Sequence, residues 1–271
     1  MLRLQVLICV LLSLSVPAGG AQERPLRICV SERDYPPLTF PDRDGPVQSL
    51  IRRAVAQAGG HVEYSALPWR RCLHQVLKGE LDGVATVAAT EEHLVQLALP
   101  LHEGAPDPGK AVGQVVAVAF RRRDSPVKWD GMRFSGLRSP IIYEAGIAAF
   151  TERLAQLGQS GIGSANSPEQ LMRMLLAGRA ELALGLDPRV SELLSRSEFS
   201  ALERLPVNFM QSTVYLAFNK DFYARESERL ERLWSEIERL RVNQEWQKQH
   251  PEFNSAFPAG SRTVPPNSFS N

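Results

Sequence analysis

Residues 61–89 read HVEYSALPWRRCLHQVLKGELDGVATVAA, and this stretch decides the fold class. HVEYSAL is interpreted as a strand. Pro68 follows at a position that a first helical turn accepts, and Gly79 supplies a stop, so residues 68–80 predict a helix. LDGVATVAA (residues 81–89) is an apolar run that is typical of a buried strand. The stretch therefore predicts a strand–helix–strand unit.

The segment before this unit has the same order of elements. LRICV (residues 26–30) is interpreted as a buried strand. VQSLIRRAVAQAGG (residues 47–60) places apolar residues at helical spacing and ends in a glycine pair, which predicts a helix. Residues 26–89 together predict β-α-β-α-β, the pattern of a mainly parallel sheet with helices on its faces.

The remainder of the chain continues this alternation after a break rich in proline and glycine at residues 101–110. We predict further strands and helices at residues 112–120, 140–144, 146–158, 166–179 and 180–186. A strand at residues 212–220 precedes a long amphipathic helix at 224–249, whose apolar stripe is typical of core packing. Residues 256–271 are interpreted as a disordered tail.

The amino terminus is typical of a secretory signal peptide. MLR is a short basic segment, LQVLICVLLSLSV is apolar, and small residues follow up to Ala21, so we expect removal of residues 1–21. The alternative is a membrane anchor, but the apolar run is shorter than the roughly 20 residues that a spanning helix needs. We therefore expect a periplasmic protein.

The charge balance points away from nucleic acid. The chain has 31 Lys and Arg against 30 Asp and Glu, and Arg3 is the one charged residue of residues 1–21, so the mature chain is formally neutral. A nucleic-acid-binding protein needs a basic face or stripe. No nucleophile–base motif, phosphate loop or metal-ligand spacing is present, so we predict a protein that is not an enzyme and has no metal or cofactor site.

Two cysteines, Cys29 and Cys72, remain after removal of the signal peptide. An even number of cysteines in an oxidising compartment permits one disulfide. Two buried free thiols are the alternative, because cysteine is among the most buried residue types.

Four segments carry a resemblance to a known family. They are RICVSERDYPPLTF (residues 27–40), PWRRCLHQVLKGELDGV (68–84), ATEEHLVQLALP (89–100) and GRAELALGLD (178–187). They contain an aromatic-Pro-Pro turn, a helix end of the form Gly-Glu-x-Asp-Gly, a Thr-x-x-His segment and a Gly-Arg strand start. In these features the chain resembles the periplasmic solute-binding proteins of the amino-acid-binding type, family 3, over roughly residues 25–250.

The resemblance implies an α/β fold of type II with two lobes, each a mainly parallel sheet flanked by helices. Lobe 1 would comprise residues 25–110 and 213–255, and lobe 2 would comprise residues 111–212. Two crossing segments, near residues 101–112 and 208–213, would act as the hinge. The resemblance further implies a monomer that captures a small polar or amino-acid-like solute between the lobes for a membrane transporter or a membrane sensor.

The resemblance also implies where the ligand-binding residues lie, because ligands of open α/β sheets bind where the strands end. Tyr35, on its stiff Pro-Pro turn, and Trp69 would form flat walls, while Arg70 would pair with an anionic group. The alternatives are a tyrosine packed under its loop, a tryptophan in the core and an arginine on the surface. The full predicted set in lobe 1 is Tyr35, Trp69, Arg70, Thr86, Thr90 and His93.

In lobe 2 the resemblance implies Tyr143, Glu144 and Asp187 as ligand-binding residues. Glu144 or Asp187 would hold a cationic group such as an α-ammonium. The alternative is that both are solvent-exposed loop carboxylates.

His93 is a departure from the family. In amino-acid-binding members an arginine stands at this place of the Thr-x-x-Arg segment and clamps the ligand's α-carboxylate. Histidine offers no bidentate fork, and its charge changes near neutral pH. Two rival functions therefore stay open. One is a degenerate member that serves as a protein partner or accessory factor, and the other is a dehydratase-like enzyme that uses His93, Glu144 and Asp187 as acid and base.

Overall fold

The structure is a computed structural model that describes residues 24–187, 189–249, 251 and 256–257. The predicted signal peptide, residues 1–21, lies outside these ranges. Within them the strands are β1 (Leu26–Ser31), β2 (Val62–Leu67), β3 (Gly83–Ala88), β4 (Leu97–Ala98), β5 (Leu101–His102), β6 (Ala105–Pro106), β7 (Gly113–Arg122), β8 (Lys128–Trp129), β9 (Phe134–Ser135), β10 (Ile141–Glu144), β11 (Gly161–Ala165), β12 (Ala183–Asp187) and β13 (Leu202–Asn219). The helices are α1 (Pro46–Gln57), α2 (Trp69–Leu77), α3 (Glu91–Gln96), α4 (Ala148–Gln156), α5 (Pro168–Leu176), α6 (Arg189–Leu194), α7 (Lys220–Val242) and α8 (Gln244–Gln249), with 3₁₀ turns at Pro108–Lys110 and Ser197–Phe199.

Two parallel half-sheets are joined through a pair of long antiparallel strands. The strand order is β11-β10-β12-β7-β13-β3-β1-β2. On one side β1 pairs in parallel with β2 and β3, and on the other β10 pairs in parallel with β11 and β12. Between them β7 and β13 pair with each other from Gly113 and Val214 to Arg122 and Leu202. The predicted two-lobed arrangement of mainly parallel sheets is confirmed, and the two long strands belong to both lobes.

The buried apolar residues form separate cores for the two lobes. The core of lobe 1 gathers β1, β3, α1 and the apolar face of α7, whose Trp234 is fully buried. In lobe 2, Val118 and Phe120 pack into one cluster while Ala117 and Ala119 pack into another, because successive strand residues face opposite sides of a sheet.

The boundary between the lobes differs slightly from the prediction. Ala111 and Val112, which the prediction assigns to lobe 2, are fully buried in the core of lobe 1. The backbone N–H of Val112 donates to the carbonyl of Val214 (2.9 Å), which fixes the start of the crossing strands. The crossing into lobe 2 therefore begins with β7, after residue 112.

Cys29 on β1 and Cys72 on α2 form a disulfide in the core of lobe 1. Their Cα atoms are 5.7 Å apart, and both residues are fully buried. The bridge fastens α2 to the face of the first strand. The disulfide is thus confirmed over the alternative of two free thiols.

Two strands differ from the prediction: β11 is not predicted, and β13 is longer than predicted. β11 lies between α4 and α5 in the chain, and its sequence GIGSA has few of the β-branched and aromatic residues that mark strands. The strand predicted at residues 212–220 is only the second part of β13. The first part is not predicted, because it contains Pro206 and proline is unusual inside a strand. The proline is tolerated here because the pairing register with β7 shifts between Arg204 and Asn208.

The helix predicted at residues 224–249 is two helices. α7 begins earlier, because the Asn219 side chain accepts a hydrogen bond from the N–H of Phe222 (2.9 Å), and it is kinked at Glu226, whose backbone is not helical. It ends at Val242, where Asn243 caps α8 by accepting from the N–H of Trp246 (2.9 Å). The predicted apolar stripe of α7 is buried in lobe 1 as expected. Among the described residues, no helix is both long enough and apolar enough to cross a membrane.

The predicted disordered tail does not begin at residue 256. Ala256 and Phe257 are buried in the core of lobe 1. The guanidinium of Arg241 stacks over the Phe257 ring at 4.2 Å from its centroid. The rest of the predicted tail, residues 258–271, lies outside the described residues.

Candidate ligand-binding site

A cavity of about 390 Å³ lies between the two lobes. Lobe 1 contributes the loop after β1, the start of α2 and the end of β3. Lobe 2 contributes the ends of β10 and β12 and the first residues of α4 and α5. The cavity therefore lies where the parallel strands of both half-sheets end, which is the usual ligand position in open α/β sheets.

Tyr35 and its turn form one wall of the cavity. The N–H of Tyr35 donates to the carbonyl of Thr39 (2.9 Å), and its own carbonyl accepts from Leu38 N–H (2.8 Å). The half-buried side chain lines the cavity and also packs on the core of lobe 1. Burial, with a smaller contribution from the charge of Glu144, raises the pKa of the Tyr35 hydroxyl. The turn thus fixes an aromatic face at the cavity, as the position of the two prolines predicts.

Trp69 and Arg70 line the cavity from the first turn of α2. Across the cleft stands Gly146 of lobe 2. A Cβ atom built on Gly146 would lie 3.7 Å from Arg70 Nε and 3.8 Å from Trp69 Cδ1, so the two lobes nearly touch here. No other described residue donates to, accepts from or pairs with the Arg70 guanidinium. Arg70 is therefore a cation at the cavity without a partner among the described residues.

Thr86 lines the cavity from β3, whereas Thr90 does not. The hydroxyl of Thr90 accepts a hydrogen bond from the N–H of His93 (3.2 Å) and caps α3. That hydroxyl serves the helix, so the structure gives the predicted role for Thr90 no support.

His93 lines the cavity and is held in one orientation. Its Nδ1 lies 2.9 Å from the carbonyl oxygen of Ala88. A carbonyl only accepts, so Nδ1 carries a proton, and Nε2 is the ring nitrogen left for another partner. His93 as a whole is 6% exposed. Histidine here supplies a single hydrogen-bonding nitrogen in place of a two-pronged cationic clamp.

Tyr143 lies in the core of lobe 2, not in the cavity, although the sequence predicts it as a ligand-binding residue. Its hydroxyl is 3.0 Å from Thr151 Oγ1, and its ring meets Phe150 edge to face at 5.8 Å between centroids. Neighbouring residues of β10 face opposite ways, so the strand that aims Glu144 at the cavity turns Tyr143 away from it. The prediction for Tyr143 is corrected accordingly.

Asp187 lines the cavity at the end of β12, but both of its carboxylate oxygens already have partners. Oδ2 accepts from the guanidinium of Arg204 at 3.0 Å, and Oδ1 accepts from the hydroxyl of Ser191. Its charge is thus largely compensated within lobe 2.

Glu144 takes part in a bridge across the cleft that the sequence does not predict. Arg33, in the loop after β1, donates to Glu144 Oε1 (3.4 Å) and to the backbone carbonyl of Asn166. Burial raises the pKa of Glu144, although the charges of Arg33 and Arg189 oppose this shift. Arg189 also lines the cavity and pairs with Glu169 at 3.0 Å. These arginines are ordinary surface charges in the sequence, and only the fold brings them to the cleft.

The cavity offers a small molecule aromatic faces, hydroxyl and imidazole groups and, among the described residues, one cation without a partner, Arg70. Within the part of the chain that the structure describes, no three His, Cys, Asp or Glu side chains converge in a way that could hold a metal ion.

No family model and no curated protein matches this sequence. Solved structures do match it. A histidine kinase sensor domain with similarity to periplasmic binding proteins has a TM-score of 0.64 at 19% identity, over 86% of this chain and 96% of that one. The substrate-binding protein AbpA of an amino acid ABC transporter from Streptococcus pneumoniae, bound to L-arginine, has a TM-score of 0.61 at 16% identity, over 86% and 96%. An ancestral amino acid-binding protein, a precursor of cyclohexadienyl dehydratase, has a TM-score of 0.57 at 16% identity, over 86% and 93%.

At identities this low the likeness concerns the fold. The chain has the α/β fold of the type II periplasmic binding proteins, as the resemblance of its four segments implies. The matched proteins include binding proteins, a sensor domain and a precursor of an enzyme, so the shared fold is compatible with more than one function.

Proposed function

We propose that this protein is a periplasmic solute-binding protein that captures a small polar or amino-acid-like solute between its lobes. The observation that carries the proposal is the cavity of about 390 Å³ lined from both sides. A ligand there would be enclosed by two lobes, and a two-lobed fold gains affinity by closing around a ligand.

The residues at the cavity suggest how such a solute would be held. Tyr35 and Trp69 would supply flat apolar walls at low entropic cost, because the turn and the helix start already fix them. Arg70 would pair with a carboxylate through its planar fork. Thr86 and the Nε2 atom of His93 would add hydrogen bonds.

The role in the cell follows from where such proteins act. We infer that residues 1–21 direct export to the periplasm and are then removed, as the sequence predicts. The captured solute would pass to a membrane transporter or be reported to a membrane sensor. The fold is compatible with both, since it occurs in a transporter's substrate-binding protein and in a histidine kinase sensor domain. We expect the protein to act as a monomer.

The rival functions have less support. A protein-partner role without a ligand would fit a cleft filled by its own side chains, whereas this cleft contains a cavity of about 390 Å³. A dehydratase-like reaction would draw its acid and base from His93, Glu144 and Asp187, but Glu144 is paired with Arg33 and Asp187 with Arg204, which leaves the Nε2 atom of His93 without a second free group. Binding without chemistry is therefore the function that the geometry supports best.

Thermal unfolding of the exported protein, with a panel of amino acids, small organic acids and aromatic acids, tests this proposal. A solute at about 100 times its dissociation constant should stabilise the protein by about 2.7 kcal/mol, which is a shift of several degrees. Tyr35→Ala should reduce the shift without lowering the unfolding temperature of the free protein greatly. A panel in which no solute shifts the transition would favour the partner-protein role instead.

A further inference from the structure

The two least exposed acidic side chains of the cavity lining are each paired with an arginine of the protein. The side chain of Glu144 is 26% exposed and bridges to Arg33, while that of Asp187 is 22% exposed and pairs with Arg204. An ammonium group at either carboxylate would share it with an arginine or displace that arginine. The displaced guanidinium would then lose its partner, so the exchange offers little net gain.

Two further acids, Glu32 and Asp34, line the cavity from the loop after β1, and both are exposed. Neither side chain has a hydrogen bond or an ion pair with another described residue. Exposed carboxylates attract a cation only weakly, because water screens the interaction. They do not amount to an ammonium site. Arg70 is exposed as well, but the opposite lobe approaches it at Gly146, so an ion pair formed there would be shielded from water on one side.

Among the cations of the cavity, one is distinguished by its position. Arg33 and Arg189 are paired with Glu144 and Glu169. Arg70 has no partner among the described residues and lies against Gly146, where the lobes approach each other. A carboxylate placed beside Arg70 therefore gains an ion pair without breaking one.

The rest of the lining combines apolar and aromatic residues with hydroxyl, amide and imidazole groups. Tyr35 and Trp69 present rings, and Ile147, Ala148 and Ala149 at the start of α4 face the same space. We propose that the preferred ligand is an aromatic carboxylate that has no α-ammonium group, held by Arg70 at its carboxylate and by Tyr35 and Trp69 at its ring. This inference rests on the proposed binding function and specifies the class of solute.

Three matched compounds test the inference on the wild-type protein by titration calorimetry. 3-Phenylpropionate is L-phenylalanine without the ammonium, and phenethylamine is L-phenylalanine without the carboxylate. We expect 3-phenylpropionate to bind at least tenfold more tightly than L-phenylalanine, and phenethylamine to show no binding. Equal or tighter binding of L-phenylalanine would overturn the inference and leave the proposed function standing.

Binding of none of the three would exclude the aromatic class and also overturn the inference. The proposed function would then be judged separately, by whether any other solute of the thermal panel shifts the unfolding transition. The two failures are thus distinguishable.

Substitutions at the arginines identify the groups responsible. Arg70→Gln should lower the affinity for 3-phenylpropionate at least tenfold. Arg71→Gln, at an exposed neighbour outside the cavity lining, should leave that affinity unchanged. Arg33→Gln should leave Glu144 available to the ammonium group of L-phenylalanine. The difference in affinity between L-phenylalanine and 3-phenylpropionate should therefore become smaller. An unchanged affinity in Arg70→Gln would contradict the assignment of the carboxylate to Arg70.

Discussion

At the scale of single residues, Asp82 stabilises the fold of lobe 1. It belongs to the Gly-Glu-x-Asp-Gly segment, which carries part of the family resemblance. Asp82, whose side chain is 3% exposed, accepts hydrogen bonds from the Arg24 guanidinium at 2.7 and 3.0 Å. It also accepts from the backbone N–H (2.8 Å) and the guanidinium (3.0 Å) of Arg27. One carboxylate thus joins the start of β1 to the start of β3.

Asp82→Asn should lower the free energy of unfolding by about 1–3 kcal/mol near neutral pH, because it weakens charge-assisted hydrogen bonds. Burial alone would raise the pKa of Asp82, but the hydrogen bonds from Arg24 and Arg27 outweigh it and lower the pKa. A lowered folded-state pKa gives stability that is present above the unfolded-state pKa and is lost as pH falls through the folded-state pKa. Urea unfolding should therefore show the difference between wild type and variant shrinking in acid. A difference that does not change with pH would contradict this assignment.

Gly83, the next residue, has no room for a side chain. A Cβ atom there would lie 2.5 Å from the carbonyl oxygen of Ala217 and 2.8 Å from Phe218 Cδ1. Gly83→Ala should cost about 3 kcal/mol or more through overpacking, because the Ala217 carbonyl oxygen is a backbone atom that cannot move aside cheaply. Gly79→Ala is the matched control: its Cβ would meet no atom within 4 Å, so only the strain of φ +73° remains, about 1–2 kcal/mol. Equal midpoints for the two variants in urea unfolding would argue against the close approach at Gly83.

Single residues differ in how well the sequence predicts their place. Tyr35 was open to prediction because a proline pair ends the strand beside it and fixes the turn. Tyr143 was not, because a four-residue strand leaves open which of two neighbours faces the cleft. The role of Arg33 depends on Glu144, which is 111 residues away in the chain, so no local pattern announces it.

At the scale of elements, the two lobes are connected by paired strands. The resemblance implies crossing segments near residues 101–112 and 208–213, and the chain does cross close to these places. It crosses as β7 and β13, whose register shifts again between Asn208 and Met210. The sequence predicts the second part of β13 from its aromatic and β-branched residues, and Pro206 hides the first part. Boundaries set by tertiary pairing are therefore less predictable than elements with a strong period of their own.

The disulfide between β1 and α2 should contribute measurably to the stability of lobe 1. It joins cysteines that are 43 residues apart and so lowers the conformational entropy of the unfolded chain. This should raise the free energy of unfolding by about 2–4 kcal/mol. Urea unfolding with and without a reductant measures this, and the double variant Cys29→Ala, Cys72→Ala should show no response to the reductant. The same midpoint for wild type in both conditions would mean that the bridge adds nothing to stability.

At the scale of the whole molecule, the order of four segments was sufficient to predict the two-lobed fold, since each marks a strand end or a helix end at a set place. The contacts between the lobes across the cleft were not predictable, because they depend on side chains brought together only by the fold. Arg33 from lobe 1 meets Glu144 and Asn166 from lobe 2, and Trp69 and Arg70 meet Gly146.

Arg33→Ala should open the molecule in the absence of ligand, because it removes the bridge from lobe 1 to Glu144 and Asn166. Small-angle X-ray scattering should then give a larger radius of gyration than wild type. Arg43→Ala, at an exposed arginine outside the cavity lining that pairs with its own neighbour Asp42, is the control and should give the wild-type value. The same radius for Arg33→Ala and wild type would show that other contacts hold the lobes together.

The central claim is that the cavity between the lobes is the ligand site. The most direct test is calorimetric titration of wild type and of one cavity variant from each lobe, Tyr35→Ala and Ala148→Trp, with the solute that stabilises the protein most. We predict one site per chain in wild type and at least a tenfold loss of affinity in both variants, because one removes a wall of the cavity and the other fills its space. Wild-type affinity in both variants, or no saturable binding to wild type, would contradict the account.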